Sequence, residues 1–208
     1  MDNFTFNVPV QNLADSSFQV RYATNFSAGE SYIDIGNTGA NGAALSGPGY
    51  GLQVGNICVN VYAIDPGEEL VSCCSCLITP DQTVHLGVNA DLLVNTANGT
   101  KPTSVMVKLV ETLAGSATTG TSCTQSAATA GGTAFPLATA GMVAFGTTLH
   151  AGSSAGSFVT TETPFTPATL SPAELASLTG RCAAILGDLS GAGICNSCHA
   201  GALGAAKM

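Results

Sequence analysis

An all-β, sandwich-like antiparallel fold with one C-terminal helix and a disulfide-pinned tail is what this sequence predicts, on three observations. Roughly eight to ten segments alternate apolar and polar residues with period two, separated by Gly, Pro, Asn and Asp clusters, with no strand–helix alternation. Only 9% of residues are charged, against about 25% in an average globular chain, and Gly, Ala, Ser and Thr fill the difference. Those residues suit turns and hydroxyl-covered sheets. The eight cysteines form an even set able to make up to four disulfides.

In chain order, residues 1–13 read as a half-buried strand, because Phe4, Phe6, Val8 and Val10 share one side and Thr5, Asn7 and Pro9 the other. An apolar strand at a terminus can pair within its own domain or complete the sheet of a neighbouring copy. Residues 14–170 are expected to form the β domain, and residues 171–208 a helix and tail packed on it. Phe18, Val20 and Tyr22 mark the next strand, and Ile33 and Ile35 one face of another. Residues 36–51 form a glycine-rich loop.

The centre of the pattern is Ile57 to Thr79, two covered strands about Asp65-Pro66-Gly67-Glu68. Pro66 suits the first central turn position, and Gly67 tolerates positive φ at the second. Successive strand residues face opposite ways, so Cys74 shares a face with Cys76 and not with Cys73. The hairpin is therefore linked to at least two parts of the fold, or to its own first strand through Cys58. Further on, Val84, Leu86 and Val88 alternate against His85. Val105, Val107, Leu109 and Leu113 oppose Met106, Lys108 and Val110, a partly wet face. Residues 115–132 read as a surface loop pinned through Cys123, and 135–150 and 157–165 as further strands. Ser171-Pro172-Ala173-Glu174 has the hydroxyl cap, N1 proline and N3 glutamate of a capping box. Leu175, Leu178, Cys182 and Ile185 or Leu186 recur after it at helical spacing, with Gly187 a plausible stop.

A net charge of −8 with five scattered bases provides no clustered Lys or Arg for nucleic acid. No apolar run of about 18 residues is present to span a bilayer. Residues 1–20 lack a basic segment followed by an apolar core, so no signal peptide is expected there; an exported protein would be numbered from at or near a processed end. Many cysteines with little charge point to the cell surface or the extracellular space.

Cys195-Asn196-Ser197-Cys198-His199 matches CxxCH, the attachment signature of c-type haem. In that reading Cys195 and Cys198 form thioethers and His199 is the proximal ligand. His85, His150, Met142 or Met208 is then the distal one. Against it stands a plain disulfide role, for instance Cys182 with a tail cysteine. Zinc on Cys195, Cys198 and His199 lacks a second close ligand pair outside residues 73–76. Gly152-Ser153-Ser154-Ala155-Gly156 fits GxSxG, but an extended segment follows where a nucleophile elbow needs a helix. Asp65, Glu68 and Glu69 at the hairpin tip read as solvated acids, and no enzyme is expected. Asn3, Asn25 and Asn98 head glycosylation sequons.

The stretch CVNVYAIDPGEELVSCCSC, with FTPATLSPAELASLTGRC and GAGICNSC downstream, resembles a family of secreted bacterial cysteine-rich β-proteins of uncharacterised activity. The resemblance spans about half of the chain and implies no activity. The sequence thus points to an extracellular structural protein, a self-assembling surface or filament subunit. Copies would join by addition of the strand carrying Phe4, Phe6, Val8 and Val10. Disulfides would be drawn from Cys58, Cys73, Cys74, Cys76, Cys123, Cys182, Cys195 and Cys198, with no cofactor and no metal. The alternative is a c-type cytochrome for extracellular electron transfer. A third reading is a ligand-binding or adhesive module using the glycine-rich loops.

Overall fold

The computed structural model describes residues 17–43, 55–114, 123, 140–196 and 198–201. Ten strands form two five-stranded antiparallel sheets: β1 (Phe18–Ala23), β2 (Tyr32–Asn37), β3 (Ile57–Ile64), β4 (Leu70–Ile78), β5 (Thr83–Gly87), β6 (Val105–Leu113), β7 (Met142–Ala151), β8 (Phe158–Pro164), β9 (Thr166–Pro167) and β10 (His199–Ala200). The first sheet runs β4-β3-β6-β1-β9 and the second β10-β5-β2-β7-β8. Contacts of β1 with β7 and of β4 with β5 stack the sheets so that β4 and β10 lie on one side and β8 and β9 on the other.

The predicted alternation sets the register. Val59 and Val61 of β3 with Val107 and Leu109 of β6 face Ile33, Ile35, Val84 and Leu86 of the second sheet in one core. Across that core, the Glu111 carboxylate accepts the Met142 N–H at 3.1 Å, while Gln19 Nε2 donates to the Met142 carbonyl at 3.0 Å. Two buried polar side chains of the first sheet thereby satisfy both backbone groups at the start of β7, as buried polar groups require.

The helix α1 (Pro172–Gly187) begins as its sequence demands. Ser171 Oγ accepts the Glu174 N–H at 3.1 Å. The reciprocal half of the capping box is not made, because the Glu174 carboxylate instead pairs with Lys108 on β6 at 2.5 Å. Leu178, Cys182 and Ile185 bury against Phe18, Tyr62, Leu70 and Val110, so α1 covers the outer face of the first sheet.

Two local expectations are corrected. At the 65–68 turn the left-handed residue is Glu68, with φ of 66°, and not Gly67. Asp65 Oδ1 accepts the N–H of Gly67 and of Glu69, so the aspartate shapes this turn and the glycine is not needed for positive φ. The strand through Val84 and Leu86 ends at Gly87, and Val88–Leu92 is a π-helical turn. The helix ends at Gly187, as its sequence suggests, and the left-handed conformation that follows falls on Leu189, with φ of 57°. Residues 1–13, the second half of the glycine-rich loop (44–51) and most of the loop around Cys123 lie outside the described residues.

Candidate functional site

All eight cysteines are paired, and strand geometry explains the pairing. Cys73 points to the outer face and joins Cys182 on α1, with Cα atoms 6.0 Å apart. Cys74 and Cys76 face the inner side and join Cys195 and Cys198 of the tail, at 5.6 and 5.7 Å. Cys58 joins Cys123 at 5.5 Å rather than any cysteine of its own hairpin. These separations fall within the usual disulfide range. One nine-residue strand thus anchors both the helix and the tail.

This pairing decides the haem question. Thioether attachment consumes both thiols of CxxCH, and here both are committed to β4, while His199 is turned to Asp91. Met142, a distal-ligand candidate, is wholly buried in the sheet core. The residues do not fit a c-type haem. The GxSxG segment is the connection between β7 and β8, closed by Gly152 N–H to Ser157 O at 2.8 Å, and no helix follows it. At the hairpin tip, Glu69 accepts from Asn98 Nδ2 at 2.8 Å, so these acids hold turns together.

The sheet edges differ sharply in how they are covered. Beside β4 runs the tail: Cys73 N–H donates to Gly193 O at 2.9 Å, and Ala97 N–H to Val71 O at 2.8 Å. The edge of β5 carries β10, continued by Gly201 N–H to Thr83 O at 2.8 Å. On β1, β9 pairs with Gln19 and Val20, and Ala168 N–H donates to Phe18 O at 3.0 Å. The fourth edge, β8, has no strand or backbone bond on its outward side among the described residues. All seven of its residues are exposed, including Phe158 at 52% and Val159 at 58%. It is held to the body by β7, by Arg21 donating to the Thr163 carbonyl at 2.9 Å and to Thr148 Oγ1 at 2.9 Å, and by buried Phe165 just beyond it. Gly146 makes room for that arginine, since a Cβ there would lie 2.2 Å from its Nε.

A second feature, invisible in the sequence, is an open cleft of about 390 Å³ lined by Glu30, Tyr32, His85, Asp91 and His199. The register of β10 sets His199 directly opposite His85, with their rings stacked at 5.1 Å. Glu30 accepts the N–H groups of Ser31, Asn89 and Ala90, and so fixes the start of the π-helical turn. Asp91 accepts the Gly87 N–H at 2.7 Å through one oxygen and faces His199 Nε2 at 3.2 Å through the other. Burial first, and then the charges of Glu30 and Asp91, raise the Tyr32 phenol pKa. His150, the third histidine, sits apart on the β7–β8 hairpin, bonded to Thr161 at 2.9 Å. No signal in the sequence brings His85 to His199: they are separated by more than half of the chain and meet only through the tail disulfides.

The assembly strand carrying Phe4, Phe6, Val8 and Val10 lies outside the described residues. No family model, curated protein or solved structure matches the chain. Of the resemblance drawn from the sequence, what stands is a cysteine-rich β-protein with four disulfides, an arrangement that fits an oxidising, extracellular environment. Among the described residues no helix is long and apolar enough to cross a membrane.

Proposed function

We propose that this is an extracellular structural subunit that polymerises by strand addition, residues 4–10 of one copy lying along β8 of the next. The observation that carries the reading is the open β8 edge. Native sheets cover or blunt their edges, because a row of unpaired N–H and C=O groups recruits another strand. Here three edges are covered by short segments of the chain itself, and among the described residues none covers the fourth. The seven residues of β8 match in length the alternating segment from Phe4 to Val10. Phe145 and Phe158, both exposed, lie on one face of the β7–β8 pair, at opposite ends of β8. They offer apolar surface to the phenylalanines and valines of an added strand. Backbone pairing would supply affinity, and alternate side chains register. Disulfides suit the role by holding each subunit together outside the cell, at about 2–4 kcal/mol apiece. The reading assigns no catalysis and no cofactor.

The test is assembly of two variants by sedimentation and electron microscopy. One lacks residues 1–12; the other carries Val159→Lys with Thr161→Lys. Both are expected to remain folded and monomeric, and mixing them is expected to yield no polymer, because a polymer needs donor and acceptor on every copy. Polymerisation of the truncated protein as well as the parent would overturn strand donation. Polymerisation of the lysine variant would move the acceptor away from β8.

A further inference from the structure

We propose that His85 and His199 together bind a divalent transition-metal ion of the imidazole-seeking kind, copper(II) above all, at the β5–β10 edge. The proposal is independent of the assembly reading. Four observations support it.

First, the two imidazoles are a direct cross-strand pair on one face of the sheet, with ring centroids 5.1 Å apart. Directly opposed residues of an antiparallel pair keep their Cβ atoms about 4.5–5.5 Å apart, close enough for both side chains to reach one ion. Second, each ring already has the outer hydrogen bond that metal-binding histidines have. His85 Nδ1 lies 2.8 Å from the Gly201 carbonyl, which can only accept, so that nitrogen carries the proton and Nε2 keeps its lone pair. His199 Nε2 lies 3.2 Å from Asp91 Oδ1, which by the same logic leaves the lone pair on Nδ1. An imidazole that donates its other N–H to a carbonyl or a carboxylate is oriented and made more basic as a ligand.

Third, the site is covalently positioned. Cys198, the residue before His199, is bonded to Cys76 in β4, so the His199 backbone cannot drift from the sheet. The His199 side chain is half exposed, so an ion can reach it from solvent. Fourth, the cleft is acidic. Glu30 and Asp91 line it, and among the described residues no Lys or Arg does. Asp91 is itself held by Gly87 N–H and so keeps its place while it orients His199. Among the described residues no three His, Cys, Asp or Glu side chains converge on one point. The protein therefore offers two nitrogens, and water or an exogenous ligand completes the coordination. Imidazole pairs suit copper, nickel and zinc, with copper(II) the tightest of the divalent series.

The experiment is a copper(II) titration of the disulfide-intact protein, followed by calorimetry and by electron paramagnetic resonance. One equivalent is expected to bind with hyperfine coupling from two imidazole nitrogens. His85→Ala and His199→Ala should each leave a single nitrogen and weaken binding by at least the order of 10–100-fold that loss of an outer-shell partner alone produces. Asp91→Asn, which removes the carboxylate behind His199, should weaken it about tenfold. His150→Ala should change neither affinity nor spectrum. A structural role for the pair would lower the melting temperature of the histidine variants without altering copper binding. That outcome, or a single-nitrogen spectrum in the parent protein, would overturn the proposal.

Discussion

Two strands on opposite sides of the sandwich, β4 and β8, represent opposite solutions to the same problem. In β4, seven of the nine residues are buried, and three cysteines tie the strand to α1 and to the tail. In β8 every residue is exposed, no cysteine is present, and β7 with one arginine holds the strand in place. The difference is written in composition: LVSCCSCLI against FVTTETP. Covalent reinforcement is concentrated where the chain closes its own edge. The opposite side keeps a row of backbone groups with no backbone partner among the described residues.

The largest expected effect concerns the β4 side. Each disulfide contributes about 2–4 kcal/mol, so four together rival the whole net stability of about 5–15 kcal/mol. Full reduction and alkylation should therefore abolish the β-sheet circular dichroism at 37 °C; a retained native spectrum would break the contrast. The next test sets one substitution against another. Leu178→Ala opens the apolar contact beneath α1 and should cost about 2–5 kcal/mol in denaturant unfolding. Val159→Lys on β8 should cost under about 0.5 kcal/mol, because the side chain already faces solvent. Equal costs would mean that β8 contributes to the fold of the isolated subunit.

A smaller effect comes from Tyr62, wholly buried beneath α1, where burial pushes the phenol well above its usual pKa. In the unfolded chain tyrosine ionises near pH 10. The folded state keeps its proton while the unfolded state loses one, so this contribution is intact below about pH 10. Above that pH stability falls by up to about 1.4 kcal/mol per pH unit, until the folded group ionises too. Tyr62→Phe should flatten this alkaline slope in pH-dependent unfolding. At the helix start, Ser171→Ala removes the hydrogen bond to the Glu174 N–H and should cost about 1 kcal/mol.

Much of the β4 side was legible in the residues. Alternation placed Cys73 on one face and Cys74 with Cys76 on the other, and the structure uses both faces as that parity requires. The helix start at Ser171-Pro172 was legible because capping chemistry is local. What could not be read are features made by distant pairing. Glu111 in a strand gave no sign that it would bind Met142 N–H across the core. His85 and His199 became neighbours only through the register of a two-residue strand set by the tail disulfides. The CxxCH spacing pointed to haem because a motif describes neighbours in sequence, whereas both its cysteines have partners more than a hundred residues away. The open edge of β8 was equally hidden, since exposure on both faces leaves no pattern that distinguishes a strand from a polar loop.

Hydrogen exchange across residues 158–164, compared between isolated subunits and assembled material, tests the central claim most directly. In the isolated subunit the outward amides of β8 should exchange at the rate of exposed backbone. In the polymer they should be protected, while protection along β4 stays the same in both states. A polymer whose β8 amides exchange as fast as those of the monomer would contradict the account.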